Sequence, residues 1–425
     1  MFATVIANYL CPWRYEILIT YSILTYTKNN INGPSYLFQM KLQKDQKDYI
    51  VKAFHNLRER EDFVNLLNYA KKILYGEKTV FFDLRQLTYY SNPKLGAKRY
   101  LMFQVPKKNK NLRTIHAPVR GLMIIQKCLN LILGCIFKPT KFATGFVAGK
   151  SIVDNAAFHS GNYYIYNIDL KDFFHSIDQA RVWKCLQLKP FELSTENELK
   201  KQDEKTFLEV VNIIAALTCT RLQVKRLDSN SIEKEVFRNV LPQGAPTSPI
   251  LTNIVCQKLD FLLSATARRF GLKYSRYADD ITFSSLHHVY QNESSFLKEI
   301  RRIIQDQGFI VNEQKVRLQR DSFKQLVTGL VVNKHPNVSK KFVDGLKIDL
   351  YYWERYGYER ASEFFRKKYK KNKSQAKDNV DMANVIRGQI QFLKMVRGTD
   401  SPVYIKLDER LKKLLVREPT PQIER

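Results

Sequence analysis

The chain has 425 residues, 44% of them hydrophobic, which is enough to bury a sizeable core and to form two or three packed units. Its 70 Lys and Arg against 41 Asp and Glu leave a net charge of +29, which favours a polyanionic partner, nucleic acid ahead of an acidic membrane surface. The sequence has no apolar run of membrane-span length and no signal peptide, so we expect a cytoplasmic protein. Its Cys residues show neither a Cys-x-x-Cys pair nor the spacing of metal ligands, so we expect reduced, buried thiols.

The amino-terminal part of the chain divides into two segments. Residues 1–39 begin apolar and aromatic and contain a Gly-Pro linker. Our hypothesis is that translation starts at Met40, which makes this an uncertain extension. Over residues 40–95 apolar positions recur every three or four residues, which predicts a helical segment.

The next segment predicts a basic hairpin followed by helices. Residues 99–118 alternate as two strands around a strongly positive tip, and residues 119–137 form an apolar helix. A Gly-rich loop then leads into a helix for which Ser151 is a suitable cap.

Strands and helices then alternate up to residue 335. Residues 163–170 predict a buried strand that ends at Asp169, and a helix is predicted to begin at Lys171. The further predicted elements are a helix over 207–222, a hairpin around 228–231, a Pro-Gln-Gly loop over 241–249, a helix over 250–270, strands near 272–285 and 326–333, and a helix over 294–307. From Ser339 onward helices dominate, and residues 366–373 form a dense cationic patch.

Asp279 and Asp280 are adjacent carboxylates in the strand-like run Tyr-Ser-Arg-Tyr-Ala-Asp-Asp-Ile-Thr-Phe. Charges there are costly unless something binds them. Neighbouring strand side chains point to opposite faces, so both acids serve one site only if the chain turns, and we predict a hairpin tip. A solvated turn is the alternative. Together with Asp169, the pair supplies the carboxylates that two Mg²⁺ ions about 4 Å apart require.

The ordered set of basic hairpin, strand-end acid, Pro-Gln-Gly loop and Tyr-Ala-Asp-Asp turn resembles a reverse transcriptase over roughly residues 97–397. The resemblance implies an α+β right-hand polymerase with fingers, a ferredoxin-like palm (an antiparallel sheet plus helices) and a helical thumb. The implied divisions are the extension 1–39, the helical segment 40–95, fingers 96–162, palm 163–335 with an insertion at about 189–240, and a basic, RNA-binding thumb 336–425.

Carried over residue by residue, the resemblance implies that Asp169, Asp279 and Asp280 bind two Mg²⁺ ions and catalyse nucleotidyl transfer. Lys315 would protonate the leaving pyrophosphate, although a solvated lysine is the alternative. Phe174 would be the steric gate that excludes a ribose 2′-hydroxyl, with an ordinary core Phe as the alternative. The implied substrate-binding residues are Lys107, Lys108, Arg113, Asp172, Phe174, Gln243, Gly244 and Tyr277.

Two short strings narrow the resemblance to retron-type reverse transcriptases. They are Asn155-Ala-Ala-Phe-His159 and Val327-Thr-Gly329, for which a packing histidine and a plain strand and turn are the alternatives. Tyr351 and Tyr352 are candidates for stacking on RNA. The implied RNA-binding residues are Asn155, His159, Val327, Thr328, Gly329, Trp353, Arg366, Lys367, Lys368, Lys370 and Lys371.

The resemblance implies an RNA-directed DNA polymerase that copies its cognate structured noncoding RNA. It would prime from a guanosine 2′-hydroxyl, use dNTPs to make branched msDNA, and act with an effector protein in antiphage defence. Another bacterial reverse transcriptase of group II intron, diversity-generating or abortive-infection type is the alternative within enzymes. An RNA-binding scaffold with an idle polymerase fold is the alternative from another class.

Overall fold

The computed structural model describes residues 42–92, 95, 98–106, 112–193, 201–227, 233–291, 293–372 and 380–417, with the backbone alone at 201–208, 227 and 370–372. Helices and antiparallel sheets are both present, so the predicted α+β class is confirmed. The predicted extension over residues 1–39 lies outside the described residues. Among the residues described, no helix combines the length and apolarity needed to cross a bilayer.

Three helices form the predicted amino-terminal helical segment: α1 (Lys44–His55), α2 (Arg60–Tyr75) and α3 (Leu84–Ser91). The Asp83 side chain accepts a hydrogen bond from the Gln86 backbone N–H and so caps α3. Apolar side chains of these helices join the larger hydrophobic cluster of the molecule, here called the first core. The segment is thereby fixed to the rest of the chain by burial of apolar surface.

The predicted basic hairpin consists of β1 (Tyr100–Pro106) and β2 (Leu112–Pro118), which pair antiparallel. Its tip lies outside the described residues. After it come α4 (Arg120–Ile136) and α5 (Ile152–His159). The Ser151 hydroxyl accepts from two backbone N–H groups at the start of α5, which confirms the predicted cap.

A four-stranded antiparallel sheet lies at the centre of the molecule, in the order β6-β7-β3-β8. Its strands are β3 (Tyr164–Asp169), β6 (Lys273–Tyr277), β7 (Asp280–Ser285) and β8 (Arg317–Arg320). Strand β3 is buried from two sides, because its alternate residues contribute to two different hydrophobic clusters.

The helices and the second hairpin of this region surround the sheet. They are α6 (Gln179–Leu186), α7 (Lys201–Thr218), β4 (Thr220–Leu227), β5 (Glu233–Val240), α8 (Ser248–Val255), α9 (Gln257–Arg269) and α10 (Ser295–Asp306). The helix predicted to begin at Lys171 is wrong: Asp172 has φ 47°, a left-handed conformation that a helix excludes, and residues 171–176 form turns. The helix predicted over 250–270 is two helices that meet at Cys256.

The carboxy-terminal helices supply most of a second hydrophobic cluster, here called the second core. A short hairpin of β9 (Leu326–Val327) and β10 (Leu330–Val331) precedes them. The helices are α11 (Lys340–Asn372), which is interrupted at Gly357 with φ 73° and ψ 168°, α12 (Met382–Arg397) and α13 (Pro402–Arg417). The predicted domain boundaries stay predictions.

Candidate active site

Backbone pairing brings the three predicted acids to one edge of the central sheet. Asp169 ends β3 directly opposite Asp280, the first residue of β7. Asp279 lies in the two-residue turn that joins β6 to β7, and its carbonyl accepts a 3.0 Å hydrogen bond from the Leu170 N–H. The hairpin tip predicted for the acid pair is confirmed.

The turn that carries Asp279 is held from one side by residues 142–145. Ala278 has φ 56°, a left-handed conformation that costs an L-residue energy and persists only when its surroundings enforce it. Gly145 packs backbone to backbone against this turn, and a Cβ at that position would lie 2.5 Å from the Ala278 nitrogen. A side chain at residue 145 would therefore displace the turn.

A fully buried ion pair lies behind the same turn. The Arg276 guanidinium donates from Nε to Asp260 Oδ1 at 2.7 Å and from Nη2 to Asp260 Oδ2 at 2.8 Å. It also donates to the Ala278 carbonyl and to Asn253 Oδ1, both at 3.1 Å. Burial lowers the pKa of Arg276, but the attraction of Asp260 outweighs it and the net shift is upward. The charge of Arg276 is therefore retained inside the protein, where it fixes the Ala278 carbonyl.

The acids themselves repel one another. Burial, and then the neighbouring Asp169 carboxylate, raise the pKa of Asp279 to about 7. Burial and then the charges of Asp279 and Asp169 raise the pKa of Asp280 well above its usual range. Lys315 Nζ donates to both Asp169 oxygens, at 2.8 and 2.9 Å, and Asn312 Nδ2 donates to one of them at 3.1 Å. The cluster therefore concentrates negative charge that a cation would neutralise.

The donor set is chemically suited to Mg²⁺, which prefers carboxylate oxygens. Within the described parts of the chain, no group of three or more Asp, Glu, His or Cys side chains is arranged so that it could hold a metal ion. The fit of Asp169, Asp279 and Asp280 to a divalent cation therefore rests on two observations. These are their adjacent backbone positions and the raised pKa values of the Asp279 and Asp280 carboxyls.

The Pro-Gln-Gly loop and strand β2 form the wall beside the acids. Burial lowers the pKa of Arg113 to about 10, and the attraction of Asp279 and Asp169 opposes that fall, so its guanidinium lies within electrostatic reach of both acids. The Gln243 carbonyl accepts from the His116 N–H at 2.8 Å. Gly244, with φ 125°, lies so close to β2 that a Cβ would be 2.8 Å from the His116 carbonyl oxygen.

The other predicted substrate-binding residues are distributed around this wall. Phe174 is half-buried, with its ring centroid 6.1 Å from that of Phe146 and 5.7 Å from that of Phe173. Asp172 is exposed, and Tyr277 is buried next to the turn. Lys107 and Lys108 lie outside the described residues.

Five of the eleven predicted RNA-binding residues have buried side chains, which leaves those five no surface for direct contact with RNA. The side chains that are at most 2% exposed are those of Asn155, His159, Val327, Thr328 and Trp353. Trp353 belongs to the second core, and Gly329 forms the β9–β10 turn with φ 79°. A buried side chain has no face on which a base can stack.

The cationic patch is only partly available for binding. Lys368 Nζ donates at 2.7 Å to the buried Asp349 carboxylate, and Arg366 Nε donates to the Val380 carbonyl at 3.3 Å. Lys367 is exposed. The side chains of Lys370 and Lys371 lie outside the described part of the chain.

Sequence reasoning missed the residues that hold the acid turn from behind. Arg276 and Asp260 are 16 positions apart, and Gly145 precedes the turn by more than a hundred residues. The available signal was a single arginine inside an otherwise buried strand, since a buried charge requires a partner. Its partner could not be identified without the fold.

Comparison with known proteins gives one family and several relatives. The family described as "Reverse transcriptase (RNA-dependent DNA polymerase)" matches residues 105–330. The Retron Mx65 reverse transcriptase of Myxococcus xanthus is 34% identical over 261 residues, which are 60% of this chain and 56% of that relative. The Retron Ec86 reverse transcriptase of Escherichia coli is 31% identical over 56% of this chain and 64% of its own length.

These matches confirm the predicted resemblance to retron-type reverse transcriptases, and the family match together with the mixed helix and sheet architecture confirms the right-hand polymerase fold. The chain spans about half to two thirds of the lengths of the first three curated relatives. Among solved structures, telomerase from Candida albicans in complex with a fragment of telomeric RNA aligns with 95% of this chain and 86% of its own chain, at 12% identity and a TM-score of 0.37.

Proposed function

The chain belongs to the reverse transcriptase family, and we propose that it copies RNA into DNA at the site formed by Asp169, Asp279 and Asp280. The observation that carries the proposal is the register of the central sheet, in which Asp169 and Asp280 are paired and Asp279 is in the adjoining turn. An idle scaffold has no need of buried carboxylates that raise one another's pKa. Burying these carboxylates next to one another lowers the stability of the fold, and such a loss of stability is expected at a catalytic site.

In this proposal the three carboxylates hold two Mg²⁺ ions. The ions, when bound, supply the Lewis acidity that lowers the pKa of an attacking hydroxyl and neutralises charge on the leaving pyrophosphate. Arg113 binds the triphosphate of an incoming dNTP, because its guanidinium keeps a positive charge beside the acids. Lys315 donates a proton to the pyrophosphate, and Asp169 orients its ammonium group through the two hydrogen bonds already described.

Selection of deoxynucleotides is assigned to Phe174. Its ring is half-buried between Phe173 and Phe146, so its position is restricted by neighbouring aromatic rings. A fixed ring beside the sugar of the nucleotide excludes a ribose 2′-hydroxyl sterically. Gln243, whose backbone is held against β2, is assigned to the same nucleotide pocket.

We propose that the template is the cognate structured RNA of the protein, held by an exposed aromatic surface on α11. Tyr351 and Tyr356 are 54% and 50% exposed, and Tyr352 stacks on Phe364 with a centroid separation of 4.5 Å and an interplanar angle of 2°. Exposed rings on a strongly basic chain suit an RNA stem-loop, which is bound through phosphates and stacked bases. Priming from a guanosine 2′-hydroxyl, branched msDNA and antiphage defence with an effector protein are proposed from the retron resemblance.

The polymerase assignment is tested by primer extension on an RNA template with dNTPs and Mg²⁺. Asp279→Asn and Asp280→Asn are expected to abolish extension while leaving RNA affinity within about threefold of wild type, because the carboxylates bind cations rather than RNA. Asp48→Asn, an exposed acid on α1, is the matched control and is expected to be fully active. Extension that persists in both site variants refutes the assignment.

The retron assignment is tested by sequencing the nucleic acid that copurifies with the natively expressed protein. We expect one RNA species joined through a 2′ linkage to single-stranded DNA, and we expect that DNA to disappear in Asp280→Asn. Heterogeneous RNA without attached DNA would instead support the RNA-binding scaffold. DNA joined to no RNA would support another type of bacterial reverse transcriptase.

A further inference from the structure

Helix α5 contacts both strands of the hairpin that carries the acid pair. His159, at its carboxy-terminal end, is 0% exposed. Its Nδ1 lies 2.7 Å from Ser284 Oγ on β7, and its Nε2 lies 2.7 Å from Ser275 Oγ on β6. One imidazole therefore bridges β6 and β7 a few residues from the turn. Burial, and then the nearby charge of Lys273, lower the pKa of His159 to about 3, so the bridge is neutral.

Asn155, one helical turn earlier, extends this contact to the backbone of the hairpin. Its Oδ1 accepts from Ser275 Oγ at 2.7 Å and from Thr144 Oγ1 at 2.8 Å. The Thr144 N–H in turn donates to the Arg276 carbonyl at 2.9 Å. The polar side of α5 is thus linked to the residue that precedes Tyr277, and all of these groups are buried.

The opposite side of α5 belongs to the second core. Ala156 is a member of that cluster, and Ile152 and Val153 pack against it. Thr328, in the β9–β10 turn, donates from Oγ1 to the Ile152 carbonyl at 3.0 Å. The eight-residue helix is therefore fixed by apolar packing against the second core and by hydrogen bonds to the catalytic hairpin.

We propose that His159 and Asn155 are positioning residues for the acid pair, and that they hold the β6–β7 hairpin at a fixed place relative to β3. Neither side chain has exposed surface with which to contact a nucleic acid. Their hydrogen bonds are instead made to β6 and β7, the two strands joined by the turn that carries Asp279. Loss of the bridge leaves buried hydroxyl groups unpaired and frees the hairpin to move. The catalytic part of this inference rests on the proposed polymerase function.

Hydrogen–deuterium exchange of the full chain tests the positioning without any polymerase assay. In His159→Gln, amides of residues 273–285 are expected to exchange about tenfold faster than in wild type, because each unpaired buried group lowers local stability by a factor of roughly 5–150. Ser284→Ala, which removes one of the two bonds and keeps the histidine, is expected to give a smaller change in the same direction. His335→Gln, at an exposed histidine, is the matched control. Unchanged exchange in both site variants overturns the proposal.

Steady-state extension then separates positioning from RNA binding. His159→Gln is expected to lower kcat about tenfold while the KM for dNTP and the RNA dissociation constant, measured in EDTA, change by less than about threefold. An RNA affinity that falls about tenfold with kcat unchanged overturns the proposal. A wild-type chain that extends no primer overturns the proposed function instead, and the exchange experiment then decides the positioning alone.

Discussion

The buried ion pair between Arg276 and Asp260 allows a test that separates fold stability from placement of the acid turn. Removing one member of a buried pair leaves the other charge without compensation, so Arg276→Met and Asp260→Asn are each expected to lower the free energy of unfolding by about 3–5 kcal/mol. The double variant removes both charges and is expected to cost about 3 kcal/mol less than the sum of the single variants. Urea unfolding followed by circular dichroism gives all three values.

The kinetic behaviour of the double variant is expected to differ from its stability. It recovers the free energy lost to an unpaired charge, but the Ala278 carbonyl still lacks the donor that Arg276 supplies at 3.1 Å. We therefore expect kcat for primer extension to stay about tenfold below wild type, as for loss of one buried hydrogen bond. Single-variant costs that add to within about 0.5 kcal/mol refute the pairing argument. A double variant with wild-type kcat refutes the positioning argument.

Three further predictions concern residues around the site. The pKa of His159 falls from an ordinary 6.5 to about 3 on folding, so between these pH values only the unfolded chain takes up a proton at this residue. The stability advantage of wild type over His159→Gln is therefore expected to shrink by about 2 kcal/mol between pH 8 and pH 5 in urea titrations. Phe174→Ala is expected to raise the use of ribonucleotides relative to deoxynucleotides by about 10–100-fold in single-nucleotide extension. Gly145→Ala is expected to cost about 1–3 kcal/mol and most of the activity, because its Cβ meets the Ala278 nitrogen at 2.5 Å.

The controls for these predictions are specific. Gly345→Ala adds a methyl group where no atom lies within 4 Å, so it is expected to be stable and active. A stability difference between wild type and His159→Gln that is the same at pH 8 and pH 5 contradicts the neutral buried histidine. If Phe174→Ala leaves the use of ribonucleotides relative to deoxynucleotides unchanged, Phe174 is an ordinary core residue and not a steric gate.

The sequence was sufficient to predict the acid turn, because local rules govern it. Two adjacent acids in a strand can share a site only if the chain turns, and the turn lies at Ala278 and Asp279. The helical segment over residues 40–95 and the Ser151 cap followed from equally local patterns. These features depend on neighbours within a few residues.

Contacts distant in sequence account for what could not be predicted. The sequence predicts an RNA contact at Trp353, but three consecutive aromatic residues on α11 leave open which of them faces inward, and the break at Gly357 changes the periodicity beyond it. The burial of His159 depends on Ser275 and Ser284, which are more than a hundred residues away. The sequence string that predicts RNA recognition therefore has buried side chains at both Asn155 and His159 in the folded chain.

The division of apolar side chains into two clusters has a consequence for cooperativity. The second core is built almost entirely from residues after 326, and Ala156 and Ile165 are its members from earlier in the chain. Such a unit can open as a separate foldon while the central sheet stays intact. If the proposed template RNA binds only the closed form, it shifts this equilibrium by mass action and is expected to stabilise the carboxy-terminal helices against opening. Protease resistance of the carboxy-terminal helices then becomes a measure of template occupancy.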